Sequence, residues 1–499
     1  MITVTDLFSG AGGSTTGAIQ VPGVMVRIAA NHFQIVTDIH ALNHPDTDHA
    51  VVDLHLERPS FFPKTDMLWA SPECTKWSQA NGAKMPAIDE GLFEDPLSDD
   101  AKTRSRLLMF DVLRFIEYHR YRLVIVENVV DIATQAQYRT AWTIWRQELR
   151  ALGYAFRVVS LNSMHAQMLG APAPQSRDRI YIVAWPEGEK APDLDQVVSP
   201  RAFCFACDAM VDTVQSFKAK RDVGRYRQTY IYCCPHCGGA VEPGWMPAAS
   251  AIDWSILGER VGNRLKPKTR ARLAAGIARY WGPMHLEAAG NTYDSADPNH
   301  VQHGDPDAYM RVWPTSDPAG GTWNEDARPS SDPLRTITTR DSYALVQSYY
   351  GNTTEARPVT DPLGTLTTVD RYALIHRNNT GGAEMTTPVT EELRTLTTAG
   401  HQSVIQAGTR SGRPHVSPAD LKAAVEMVPD VLFRMFQPHE VAAGMAFPAD
   451  YKWQPPDRNK PISNRDLVKA AGNAVTPPSA RDLVAACIES LGYEIEHAA

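Results

Sequence analysis

The sequence lacks what would place it in a membrane or outside the cell. No run of eighteen apolar residues occurs among its 499 residues, so no bilayer span is expected. The first residues, MITVTDLFSG, carry no basic segment followed by an apolar one, so no secretory signal is read and a cytosolic (cytoplasmic) protein is expected. Seven cysteines in such a compartment do not predict a disulfide framework, and their spacing matters more than their number. An excess of positive charge is missing too. With 49 Lys and Arg against 57 Asp and Glu, the net charge of −8 excludes a chain that coats nucleic acid indiscriminately. Also absent is a dinucleotide fingerprint: the glycines of DLFSGAGGSTTG have the wrong spacing, and the acidic residue expected at the end of the second strand is Asn31. A nicotinamide cofactor is therefore not expected.

What is present is a chain too long for one core, with 43% hydrophobic and 21% charged residues, ordinary values for a globular protein of several units. Its first 190 residues alternate apolar strands (ITVTDLF, VMVRIAAN, DMLWASP, RLVIVEN and RIYIVAW) with helical patterns. In AKTRSRLLMFDVLRFIEYHR the apolar Leu107, Leu108, Val112, Phe115 and Ile116 fall on one helical face. This predicts an α/β sheet with helices on both faces, whose ligands gather at the carboxyl ends of the strands. Asp6, Cys74 and Glu127 all lie at or just past such ends.

From about Pro192 the composition changes. Cys204-x-x-Cys207 and Cys234-x-x-Cys237, with 26 residues between them, have the spacing of a zinc ribbon; Cys233 and His236 leave one ligand's identity open. Between Arg201 and Tyr280 thirteen Lys and Arg stand against six Asp and Glu, and RLKPKTRARL predicts either a solvated helix face or a phosphate contact. Next comes a segment rich in Thr, Pro, Asp and Gly that repeats with a period of 29 to 30 residues: DPLRTITTRDSYALV from Asp332, DPLGTLTTVDRYALI from Asp361, EELRTLTTAGHQSVI from Glu391. Each copy reads as strand, turn, strand. Helical pattern is expected again near PDVLFRMF and RDLVAACIESLGY, where the chain would rejoin the first domain.

Five separated stretches resemble, in order, the motifs of the DNA (cytosine-5) methyltransferase family. DLFSGAGG from Asp6 is similar to its S-adenosylmethionine loop, SPECTKWS from Ser71 to its nucleophile loop and ENV from Glu127 to its acid motif. QSRDRIYIV from Gln175 is similar to its Gln-x-Arg-x-Arg strand, and GNAVTPP from Gly472, preceded by FRMFQPHEVAAGMAFP, to its closing motifs. The matches cover roughly half of the chain.

The resemblance implies a Rossmann-like S-adenosylmethionine-dependent domain over residues 1–190, an inserted zinc-ribbon-like module over 191–250, a β-rich target recognition domain with the basic helix over 251–430, and C-terminal motifs over 431–499 that rejoin the catalytic domain. It makes Cys74 the thiol that adds to carbon 6 of a flipped-out cytosine, Glu127 the group at N3, and Arg179 and Arg177 the holders of the O2 side, with Asn128 ordering the loop. For the cofactor it implies Asp6, Phe8, Gly10, Gly12, Gly13, Asn31, Asp53 and Asn473; the spacing of the CxxC pairs, not the resemblance, makes Cys204, Cys207, Cys234 and Cys237 the expected zinc ligands. Two positions depart from the family: Glu73 replaces the usual proline before the cysteine, and Asn31 the usual acidic residue for the ribose. The expected partner is double-stranded DNA, bound by a monomer. Restriction–modification with a cognate nuclease, viral genome protection and a further modification pathway all stay open. RNA methylation on the same chemistry and a catalytically silent DNA-binding protein are the competing readings.

Overall fold

The structure is a computed structural model. It describes residues 1–72, 96–280 apart from 254, 257 and 263, five strands between 343 and 408, and 418–495 apart from 457 and 459. For 96–107, for 249, 268, 272 and 276–280, for 418–420, 423, 427, 430 and 431, and for the five strands only the backbone course is described.

Short β-branched and apolar runs build the central sheet: β1 (Ile2–Leu7), β2 (Val24–Asn31), β3 (Asp48–Val51), β4 (Met67–Ala70), β5 (Leu123–Asn128), β6 (Tyr154–Asn162) and, after a two-residue β7 (Gln175–Ser176), β8 (Asp178–Pro186). Their order is β3-β2-β1-β4-β5-β8-β6. The first five are parallel, and β8 runs antiparallel between β5 and β6. Every residue of β4 and β5 is buried, as expected of strands covered on both faces. Alternation assigns the faces. Leu68, Ala70, Val124, Val126, Ile180 and Ile182 join one core, and Met67, Trp69, Leu123, Ile125, Tyr181 and Val183 the other.

Helices α1 (Gly13–Ala18), α2 (Gln34–Asn43), α3 (Pro96–His119), α4 (Asp131–Thr134) and α5 (Arg139–Ala151) link these strands. On α5, Trp142, Trp145 and Leu149 recur at helical spacing and are the residues buried, the two indoles stacked 6.1 Å apart against the first core. The second core is closed from the far end of the chain. In the Pro477–Glu489 helix every residue from Pro477 to Ile488 is buried, and Leu483, Val484 and Ile488 pack with Ile2, Val4 and Trp69.

The expected doubly wound α/β sheet is therefore present, and the chain's end does rejoin it. PDVLFRMF corrects an expectation: Val431–Met435 is a strand, not a helix, pairing with Tyr343–Ser348 and with Glu259–Arg260. Its apolar run is too short for periodicity to separate the two states. The YALV, YALI and SVI ends of the three repeats are strands of one six-stranded sheet. The first strands expected of the two DPL copies lie outside the described residues, and in the third copy Leu393–Arg394 pairs with β7. RLKPKTRARL falls on a helix, Pro267–Tyr280. Among the described residues no helix is long and apolar enough to cross a membrane.

Candidate active site and metal centre

The strand order reverses between β1 and β4, so a crevice opens at their carboxyl ends. Register places Leu7 beside Ala30 and Ala70, and Ala70 beside Val126. The residues that follow each of these positions therefore share one rim: Phe8 and the glycine turn, Asn31, Ser71, and Glu127 with Asn128.

In the glycine turn Gly10 has φ of +55° and no atom within 4 Å of where a Cβ would stand, so its face is open. Phe8, also left-handed at φ 59°, is buried. Gly13 serves a different purpose. A Cβ there would lie 2.0 Å from the Val475 carbonyl oxygen, so its missing side chain admits the C-terminal segment, not a ligand. Asp6 is buried beneath the turn, its Oδ2 accepting from Ser14 Oγ (2.6 Å) and Thr15 Oγ1 (2.8 Å). Among the described residues its buried Oδ1 has no hydrogen-bond partner. Burial, offset only in part by the two hydroxyls, pushes its carboxyl up to about 7.

Behind Asp6 lies a polar cluster that the sequence did not announce. Thr15 Oγ1 is 3.0 Å from His40 Nε2, and His40 Nδ1 is 2.8 Å from His49 Nε2. His44 Nε2 is 3.1 Å from Thr16 Oγ1, and the Tyr451 hydroxyl donates to the Ala11 carbonyl. Burial holds both His40 and His44 well below the usual imidazole range. At the next strand ends, Asn31 Oδ1 accepts from the Phe33 amide (3.0 Å) and Asp53 Oδ1 from the His55 amide (3.0 Å). Asn473, exposed, ends the Asn464–Asn473 helix.

On the other side of the crevice Glu127 and Arg179 form an ion pair, Oε1 to Nε 2.8 Å, with side chains only 9% and 11% exposed. The pair is set by register: Glu127 faces Tyr181 across β5 and β8, and Arg179 lies two residues earlier. Asn128 Oδ1 accepts from the Val129 amide (2.8 Å), and its Nδ2 reaches Met109 Sδ at 3.2 Å. Arg177 lies two residues before Arg179 and is buried. Its guanidinium donates to the carbonyls of Gly472 (3.2 Å) and Ala474 (3.1 Å), fastening the C-terminal motif to the sheet. Cys74 and Glu73 lie outside the described residues, beyond Ser71 at the end of β4.

The four cysteines converge. Their Sγ atoms all lie within 4.8 Å of one another, with Cys204 to Cys237 at 3.5 Å and Cys207 to Cys234 at 3.8 Å. Four thiolates about 2.3 Å from a tetrahedral ion stand about 3.8 Å apart, so the set fits such an ion. Cys233, on the strand Tyr230–Cys233, is not in the cluster. The residue after each pair, Asp208 and Gly238, is left-handed, which gives both knuckles the same turn. Amide donation from Cys237, then from His236, draws the Cys234 thiol down, while burial raises Cys204 and the neighbouring thiols raise Cys207, so one thiolate in the cluster forms at the expense of the others when no ion is bound.

A seven-stranded sheet whose last strand in chain order is antiparallel, a glycine turn after β1 and a carboxylate–guanidinium pair at the end of β5 make an α/β domain with a methyltransferase-like fold. Residues 2–220, somewhat under half of the chain, match the family described as C-5 cytosine-specific DNA methylase. Comparison with the curated proteins gives no match. Among solved structures, the chain is similar to an E. coli prophage-encoded protein described as a candidate DNA modification methyltransferase (14% identity, TM-score 0.44, covering 99% of this chain and 100% of that one). It is also similar to the S. pombe Dnmt2 methyltransferase (13%, 0.45, 99% and 99%) and to the Entamoeba histolytica methyltransferase EhMeth (10%, 0.43, 98% and 99%).

Proposed function

We propose that the chain is a sequence-specific DNA cytosine-5 methyltransferase that uses S-adenosylmethionine and a covalent intermediate on Cys74. The observation that carries this reading is the Glu127–Arg179 pair, which sits at the same rim as the strand end leading to Cys74 within the stretch that matches the cytosine-5 methylase family. Carbon 5 of cytosine is a poor nucleophile. The Cys74 thiolate adds to carbon 6, Glu127 supports the proton and charge at N3, and the ring's electron pair becomes available at carbon 5. The cofactor supplies an electrophilic methyl group. The carbon 5 proton then leaves to a base, the double bond re-forms and Cys74 departs as thiolate.

Arg179, already oriented by Glu127, is suited to hold the base's O2 side, and Arg177 to hold the C-terminal motif closed over the crevice. The open face at Gly10 and the orphaned Oδ1 of Asp6 fit a polar cofactor above the glycine turn. Asn31, with its oxygen engaged by Phe33, offers no charge to the ribose. The base must be rotated out of the duplex at a cost of a few kcal/mol, which the basic helix and the repeat-built sheet are placed in the chain to repay. Zinc is the ion proposed for the four cysteines.

The test is a duplex carrying 5-fluorocytosine at the preferred site, together with labelled methyl transfer to duplex DNA and to RNA. A denaturant-resistant adduct through Cys74, lost in Cys74→Ala, is expected. Label entering RNA alone overturns the substrate, and no adduct with active enzyme overturns the covalent mechanism.

A further inference from the structure

The segment strung between the two cysteine pairs does not stay within its own module. After Val214–Phe217 the chain runs back to the central sheet before returning along Tyr230–Cys233 to the second pair. Val223 packs against the first core, and the Gly224 amide donates to Ser160 Oγ at 3.0 Å. Arg225 Nη2 reaches Asp131 Oδ1 at 2.7 Å, and the Tyr226 amide donates to Asp178 Oδ1 at 2.9 Å. Behind this contact the strap is tied to the module, since the Tyr226 hydroxyl (2.5 Å) and Arg227 Nη2 (3.1 Å) both donate to Glu242 Oε1.

The two carboxylates it touches flank the candidate active site. Asp131 opens α4 and lies four residues past Glu127; its side chain is 2% exposed and that of Arg225 32%. Asp178 is half-buried directly before Arg179 and also accepts from Asn162 Nδ2 at 3.0 Å. Two consecutive residues, Arg225 and Tyr226, therefore reach the loop just past Glu127 and the residue just before Arg179 from a module that carries the four cysteines.

We propose that Arg225 is a positioning residue for methyl transfer: the metal-closed module holds the 223–227 strap, and the strap fixes the loop after Glu127 and the strand start at Arg179. The inference rests on the function proposed above. Its physical basis is that Asp131 is almost wholly buried, so its charge needs a partner, and the guanidinium that supplies one is presented from outside the catalytic fold. Loss of the strap frees the loop by a fraction of an ångström to an ångström, a displacement that can cost on the order of tenfold to a hundredfold in rate.

The experiment compares wild type, Arg225→Ala, Arg225→Lys and Cys204→Ser in the full chain. It reads metal content, kcat and KM for methyl transfer, and amide exchange over 127–135 and 177–180. Arg225→Ala is expected to keep its metal, to lose about tenfold or more in kcat with little change in KM for S-adenosylmethionine, and to exchange faster over both segments. Arg225→Lys should recover part of each loss as a point charge. Cys204→Ser should lose the metal and show the same faster exchange. If Arg225→Ala keeps its metal with kcat and exchange unchanged, the strap is only a structural tether and the proposal falls. If the wild type transfers no methyl group to DNA or RNA, the proposed function fails, and the exchange measurements alone decide whether the module holds these segments.

Discussion

Replacing Asp6 by asparagine should stabilise the protein, and only above a defined pH. The carboxyl is 1% exposed, and burial raises it from 3.8 to about 7. A shift of this size corresponds to about 4 kcal/mol between the protonation states. Because the folded-state value is raised, the unfolded chain ionises first. Below about pH 4 both states are protonated and the native state carries no penalty; between about 4 and 7 the penalty grows, and above 7 it is complete. Asp6→Asn keeps an oxygen for Ser14 and Thr15 and places NH2 where Oδ1 has no partner. A protonated carboxyl would leave its own donor unmatched there too, so near pH 4 the two proteins should agree within about 1 kcal/mol. Near pH 8 the variant should lead by up to about 4 kcal/mol. Three histidines lie near: His40 behind Thr15, His49 behind His40, and His44 against Thr16. They are present in both proteins and largely cancel in the difference. Urea unfolding followed by tryptophan emission, with equal slopes as the check on comparability, measures it. A stability difference that stays flat from about pH 4 to 8 refutes the claim that Asp6 is strained by its charge.

Gly13→Ala should force the C-terminal segment away from α1, because the new Cβ would stand 2.0 Å from the Val475 oxygen; a loss of roughly 1–3 kcal/mol, read as a lower melting temperature, is expected, and an unchanged melting temperature contradicts the close approach. Glu127→Gln should lower kcat by about 10²-fold to 10⁴-fold while leaving cofactor affinity, measured by calorimetry, within about twofold of wild type. An unchanged kcat removes Glu127 from the chemistry.

The sequence made the middle of the fold legible and its edges less so. β4 and β5 are apolar and buried throughout, as strands covered on both faces must be, and β1, β2 and β8 keep enough β-branched and apolar residues to read despite Asp6 and exposed Arg27. β3 and β6 are the two edge strands; β3 has four residues with an exposed start, and the first half of β6 is only partly buried around exposed Arg157. The cysteine cluster was readable because its spacing encodes the geometry of two turns. The contact of Arg177 with the C-terminal segment was not, since its partners lie 295 and 297 residues away. Nor was Arg225, whose carboxylate stands 94 residues back in the chain.

That long separation has a physical explanation in how the fold is closed. Residues 2–220 match the methylase family, yet the second core is completed by the Pro477–Glu489 helix. Ser163 Oγ and Thr476 Oγ1 meet at 2.8 Å, and Asp482 accepts from the amides of Met168 (2.9 Å) and Leu169 (3.2 Å). Stretching the link between Pro186 and Pro477 from some 20 residues to about 290 costs about 2 kcal/mol in closure entropy, since that cost rises only with the logarithm of length. Burying Leu483, Val484 and Ile488 returns roughly 1.5–3 kcal/mol for each side chain. A single buried helix can therefore close the sheet over an insertion larger than the domain itself, which is how one chain can hold a cysteine module and a repeat-built sheet between the two halves of its core.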